Sequence, residues 1–292
     1  MTKVIEKFIR DMEIRNLSAG TRDRYLQGLL KLSEHYQGRA PESLTDDEVQ
    51  DYIHFLAVER KLTHSYINTQ VAGFKFFYSN TMRLNSSNFV IPTAKVRKKL
   101  PEILNRQEVR RLFQAAGYDL RKTAYFSLLY GCGLRGSEAC NLRIQDVDSG
   151  SKTIWVRNGK GGKDRGVFLP DTVYSALSNY WRACRFKDHF FVSRKNPNQA
   201  MDIKTPQSWM KELKRETGIQ KNGLLHLFRH SYATHALEDG ENLLVIKKNL
   251  GHSSIKSTMI YLQLAQIRSP NKAPIDRLFL NEDVAAPTLF VP

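Results

Sequence analysis

Apolar residues recur at three-to-four spacing through the first eighty positions, the period of a helix that buries one face. Val4, Ile5, Phe8, Ile9 and Met12 form one such stripe, and Tyr25, Leu26, Leu29, Leu30 and Leu32 form a second. Ser18 is a capping-type residue ahead of the second stripe, and Thr45-Asp46-Asp47-Glu48 opens a third helix with acid in its first turn. A fourth helix is predicted from Thr63 to Met82, carrying Ile67, Val71, Phe74, Phe76, Phe77 and Tyr78. Together they predict a small helical bundle over residues 1–90. The periodicity then lapses: Pro92 and the cluster Lys95-Val96-Arg97-Lys98-Lys99 predict a basic linker, residues 91–100.

The second part, residues 101–292, begins with predicted helices at Arg106 to Ala116 and about Lys122 to Tyr130, the latter ending at Gly131-Cys132-Gly133. Thr153 to Arg157, Gly159-Lys160-Gly161-Gly162-Lys163 and Gly166 to Leu169 read as strand, glycine-rich turn and strand. Helical patterns resume from Asp171, apart from a loop-rich stretch around Lys195 to Thr205. The expected class is mainly α: an N-terminal helical bundle plus a mostly helical second domain with a small antiparallel β-sheet.

Charge changes this picture most. Lys and Arg number 45 against 29 Asp and Glu, a net charge of +16, which points to a polyanionic partner. Through Lys99 there are 16 basic and 11 acidic residues, net +5; the remainder carries 29 and 18, net +11. Both parts are basic, so a nucleic acid is expected to touch both, with solubility alone the competing explanation. Cys132, Cys140 and Cys184 are odd in number and lack CxxC spacing, so reduced thiols of an intracellular protein are expected rather than disulfides or zinc. The N-terminus mixes charged with apolar residues, unlike a signal peptide, and no apolar run is long enough to span a bilayer. The expectation is a cytoplasmic protein.

Four segments carry candidate chemistry. In Gly133-Leu134-Arg135-Gly136-Ser137-Glu138, flanking glycines let backbone approach a ligand, and Arg135 at a helix start can give a phosphate two parallel hydrogen bonds. A structural ion pair to Glu138 three residues on is the alternative. Gly159-Lys160-Gly161-Gly162-Lys163-Asp164-Arg165 fails the P-loop pattern on spacing, but suits a hairpin tip that slides a lysine beside a phosphate; an ordinary solvated turn is the alternative. His226 and Arg229 share one helix face. His226, His230 and His235 show neither an HExxH pattern nor a carboxylate at ligand spacing, so no metal is expected. Lastly, His252 precedes Tyr261 by nine positions, with Ser253 and Ser254 as capping-type residues and Tyr261 expected on a helix with Ile255 and Met259.

Arginine, lysine, His-x-x-Arg, Gly-His and tyrosine in this order, in a basic chain, resemble the tyrosine recombinase or phage integrase family. The similarity covers nearly the whole length. Leu100-Pro101-Glu102-Ile103-Leu104 is similar to that family's entry into its catalytic domain, while Arg229 to His235 and Leu250-Gly251-His252-Ser253 match its most specific motifs. Gly136 and Phe228 depart from it, standing where a branched aliphatic and a leucine are common. The resemblance implies Arg135, Lys160, His226, Arg229 and His252 around a phosphate, with Tyr261 as nucleophile. Lys160 is preferred to Lys163 as the first lysine of the hairpin motif.

Further implications follow from the resemblance. Residues 1–90 would be a core-binding domain laying helices in the major groove, with the catalytic domain gripping the opposite face. Arg22, Arg24, Asn68 and Lys75, then Lys163 and Arg165, are the expected DNA contacts, a solvated face being the alternative for the first four. His226 would take the tyrosine proton and Lys160 would protonate the leaving 5′ oxygen, with no metal or nucleotide cofactor. Ile275, Leu278 and Phe279 in the tail would pack into a neighbouring protomer, making a tetramer on two specific DNA sites. A type IB topoisomerase, or a non-catalytic DNA-binding regulator, are the rival readings. His226 argues against the first, because that family resembles Lys-x-x-Arg there, and the intact set of catalytic residue types argues against the second.

Overall fold

The computed structural model describes residues 2–84, 90–95, 100–157, 159 and 163–265. Its chain divides into two compact units, Met1–Lys99 and Leu100–Pro292. The architecture is mainly helical with one small antiparallel sheet.

In the first unit the predicted stripes become α1 (Thr2–Ile14), α2 (Ala19–His35), α3 (Asp46–Val58) and α4 (His64–Phe76). Side chains start the last three. Ser18 and Thr63 each accept a hydrogen bond from the backbone N–H three residues on, at Thr21 and Tyr66. Thr45 and Glu48 form a reciprocal capping box. The apolar faces meet on Phe8, Met12, Leu29, Leu32, Val49, Ile67, Val71 and Phe74, all essentially buried. α2 and α4 approach closely because Gly28 and Gly73 lie where they cross. A Cβ on Gly73 would lie 3.2 Å from the Tyr25 Cα, and one on Gly28 would collide with the Gln70 amide. The predicted fourth helix is interrupted: Phe77–Thr81 widens into a π turn.

Part of the expected linker is anchored to this unit. Ile91 is buried in its core. The Asn68 side chain donates to the Ala94 carbonyl (2.9 Å) and accepts from the Ala94 N–H (3.1 Å). Gln50 donates to the Val90 carbonyl at 3.0 Å. Lys95 is described but residues 96–99, the rest of the basic cluster, lie outside the described residues.

The second unit contains α5 (Arg106–Ala116), α6 (Leu120–Gly131), α7 (Gly136–Cys140), α8 (Asp171–Cys184), α9 (Lys204–Thr217), α10 (Leu225–Glu238), α11 (Leu243–Leu250) and α12 (Lys256–Met259). α6 is central. Ala124 to Leu129 are buried in succession, so it is covered on all sides. Phe228 of α10 stacks on Phe126 of α6, with ring centroids 5.1 Å apart. The sheet is a meander, β1 (Val147–Asp148), β2 (Thr153–Val156) and β3 (Arg165–Phe168), with Ile154 opposite Val167. Hairpin β2–β3 matches expectation to within a residue at each end. β1, two residues long, carries no readable period and was not expected. Among the described residues no helix is long and apolar enough to cross a membrane.

Candidate active site

The site forms where three chain turns of the second unit converge: the α6–α7 corner, the start of β3, and the segment after α11. Gly133 takes a positive φ of 63°, turning the chain out of α6 so that Arg135 becomes the cap of α7. From there the Arg135 backbone N–H donates to one oxygen of Glu138 (2.8 Å) and its guanidinium to the other (2.7 Å). The ion pair posed as the alternative reading of Arg135 therefore exists. It does not remove Arg135 from the site, since the side chain keeps a fifth of its surface exposed. Gly136 is glycine for packing reasons: a Cβ there would press on Leu225 and Ile203 at 2.6 and 2.9 Å.

Glu138 is the hub. Its side chain is 8% exposed and receives both guanidinium nitrogens of Arg165, at 2.9 and 2.8 Å. Arg229 stands 3.9 Å away. Burial raises the carboxyl pKa, but the hydrogen bonds and charge of Arg165, then those of Arg135, outweigh it and hold Glu138 at about 2. One carboxylate thus faces three guanidiniums, leaving the cradle positive.

Arg165 corrects an expectation. Placed among the DNA contacts by its position in the hairpin, its guanidinium instead turns inward: besides Glu138 it donates from Nε to the Asn249 carbonyl (2.9 Å). These contacts engage all three guanidinium nitrogens with groups of the protein itself. A Cβ on Gly251 would lie 2.8 Å from Arg165 Cδ, so the turn after α11 is closed around this side chain.

α10 supplies three groups. Arg229, 4% exposed, donates to the carbonyls of Gly133 and Leu250, tying the α6–α7 corner to the end of α11. Burial, then the charge of Arg135, lowers its pKa to about 10, so it stays cationic near neutrality. His226 is exposed on the same helix; what burial it has, then Arg229, lowers its pKa. His230 follows one turn later, its ring centroid 6.0 Å from that of His226.

Tyr261 lies just beyond α12 in a run of turns, not on the helix expected for it, because α12 spans only four residues. The side chain is 2% exposed and docks in the cradle of its own chain. Its hydroxyl sits 2.9 Å from His230 Nδ1, whereas His226, the expected proton acceptor, makes no hydrogen bond to it among the described residues. Burial raises the phenol pKa, opposed by Arg229 and then Arg135. His252 lies nearly parallel to the tyrosine ring, 6.3 Å away at 14°, and its Nδ1 is 2.9 Å from the Thr258 hydroxyl. The structure thus brings Arg135, His226, Arg229, His230, His252 and Tyr261 together, with Glu138 and Arg165 among them. Lys160 and the tail positions Ile275, Leu278 and Phe279 lie outside the described residues. Lys163 is exposed.

Sequence reasoning missed His230 and the hub role of Glu138. The signal for His230 was its four-residue spacing from His226, which puts both rings on one face. In the first unit, Arg22 pairs with Glu13 at 2.8 Å, Arg24 donates to the Gly20 carbonyl, and the Lys75 ammonium donates to the Thr93 hydroxyl at 2.9 Å. Asn68, expected on DNA, has both ends of its amide engaged by Ala94. Its role is to anchor residues 90–95.

The description of the phage integrase family fits residues 102–268, and that of the N-terminal SAM-like domain of phage integrases fits residues 4–87. The chain is 34% identical to a putative integrase/recombinase, y4qK, of Sinorhizobium fredii, over 91% of this chain and 85% of that one. It is also 34% identical to the tyrosine recombinase XerA of Pyrococcus furiosus, over 90% of each. Among solved structures, a XerA recombinase aligns with a TM-score of 0.51 at 28% identity, covering 95% of this chain and 97% of that one. The XerH recombinase bound to its difH substrate shares the fold, with a TM-score of 0.67 at 19% identity, over 92% and 81%. By class, then, this is an enzyme that cleaves and rejoins DNA strands. The chain belongs to the phage integrase family, as a tyrosine recombinase of site-specific DNA recombination.

Proposed function

We propose that Tyr261 cuts a specific duplex by forming a 3′-phosphotyrosyl link, and that strands are then exchanged through a Holliday junction. The biological role would be integration, excision or resolution of a mobile element or replicon. Residues 1–90 would be the core-binding domain and residues 101–292 the catalytic domain, with four protomers assembled on two sites through the C-terminal tail.

Arg135 and Arg229, with His226 and His252 as further donors, hold the non-bridging oxygens, where negative charge grows as the tyrosine oxygen approaches phosphorus. The Tyr261 Oη–P bond forms as the P–O5′ bond breaks, and the departing 5′ oxygen takes its proton from Lys160. The bond energy stays in the phosphotyrosine, so the released 5′ hydroxyl of a partner strand can attack in reverse without any nucleotide cofactor. The observation that carries this reading is the buried Tyr261 hydroxyl, docked in a cradle with three guanidiniums for one carboxylate.

The test is Tyr261→Phe. The variant should bind its duplex as the native chain does and trap no covalent protein–DNA adduct on nicked suicide substrates. A persisting adduct would show that another residue is the nucleophile. Relaxation of supercoiled plasmids irrespective of sequence would favour the topoisomerase alternative.

A further inference from the structure

A buried phenol that must lose a proton needs an acceptor within reach, because bulk water cannot supply one. Tyr261 is 2% exposed. The nitrogen that meets its hydroxyl belongs to His230, at 2.9 Å from Nδ1. We propose that His230 is the catalytic base of the cleavage step, a role that rests on Tyr261 being the nucleophile. In the Nε2–H tautomer, the Nδ1 lone pair takes the Tyr261 proton as Oη bonds to phosphorus and the P–O5′ bond breaks. In rejoining, the imidazolium returns that proton as the tyrosine departs. The proton for the 5′ oxygen comes from a separate donor.

Three features of the site fit this role. His226 and Arg229 on the same helix face His230, Arg135 and Arg229 face Tyr261, and His252 lies nearly parallel to the phenol ring. These neighbours are cations or neutral rings, which disfavour a second positive charge. Burial, then His226 and Arg229, accordingly hold His230 at about 4, so the neutral form is present throughout the physiological range. An incoming phosphodiester adds negative charge beside the ring and raises its basicity at the moment of attack. Once formed, the imidazolium is a strong enough acid to give the proton back, as a reversible transesterification requires. His226, exposed, remains free to donate to the phosphate.

The experiment uses the full chain and a duplex that it selects from a random-sequence pool, synthesised with a nick beside the cleavage position. His230→Asn retains an acceptor oxygen near the place of Nδ1 but cannot take a proton; His230→Ala removes both. Both should bind with native Kd and form adduct about 100-fold more slowly near pH 7, within the usual range for loss of a general base. The deficit should shrink as pH rises and hydroxide substitutes for the base. A 5′-bridging phosphorothiolate, whose leaving group needs no proton, should not rescue either variant. His230→Asn cleaving within twofold of native across the pH range would overturn the proposal, even if His230→Ala misfolds. Full rescue by the phosphorothiolate would also overturn it, since His230 would then serve the leaving group. An adduct surviving Tyr261→Phe sinks the nucleophile and the base together, which separates that failure from failure of His230 alone.

Discussion

Replacing Glu138 by Gln removes the one negative charge among three guanidiniums while preserving shape. Glu138 accepts four hydrogen bonds from Arg135 and Arg165 and is 8% exposed. Its pKa falls from an ordinary 4.5 to about 2. At about 1.36 kcal/mol per pH unit, that gap corresponds to about 3 kcal/mol of stability. Because the folded value is the lower one, this contribution is complete above the unfolded pKa and is lost as pH falls through about 2. Breaking a buried ion pair on one side costs roughly 3–5 kcal/mol, so Glu138→Gln should lose about that much at pH 7. All three tryptophans, Trp155, Trp181 and Trp209, lie in the second unit, so urea unfolding followed by their fluorescence reports on the unit that holds the site. The native chain should lose about 2 kcal/mol of the carboxylate's contribution by pH 3, and Glu138→Gln should not. The native–variant gap should therefore narrow on acidification, and inorganic phosphate should rescue part of the variant's loss at pH 7. A gap that stays constant from pH 7 to pH 3 would refute the claim that these arginines set the Glu138 ionisation.

Two other changes test the supports of the site. Gly251 adopts φ 60° and lies against Arg165, so Gly251→Ala should lose roughly 1–2 kcal/mol from left-handed strain alone. It should also slow adduct formation by displacing Arg165 and His252, read from urea midpoints and suicide-substrate kinetics; an unchanged midpoint would count against the close approach. Asn68→Ala frees both hydrogen bonds to Ala94 and should speed proteolysis within residues 90–95 with a stability loss of about 1–2 kcal/mol. Unchanged proteolysis would show that Ile91 and Gln50 suffice to hold the segment.

Elements were legible where local chemistry settles them. Ser18 and Thr45 declare their helices because a hydroxyl three residues before an N–H satisfies that group whatever the tertiary context. The buried stripes through Leu29, Leu32, Val71 and Phe74 were legible because one covered face imposes a period. The π turn at Phe77–Thr81 was hidden because its residues are as apolar as the helix before it. Arg165 was misread for a different reason. Among several hairpin cations, nothing in the sequence says which one turns inward, since Glu138 and Asn249 are remote along the chain. His230 was passed over because its partner, Tyr261, lies 31 positions away and reaches it through turns after a four-residue helix, a length too short to carry a period.

Tyr261 rests in the pocket of the polypeptide that bears it, so in the proposed assembly each subunit would bring its own scissors. A mixed assembly holding one disabled subunit would therefore leave intact only the strand facing that subunit. On that proposal, the order in which strands open would be governed by how subunits are arranged, without any of them lending a blade to its neighbour.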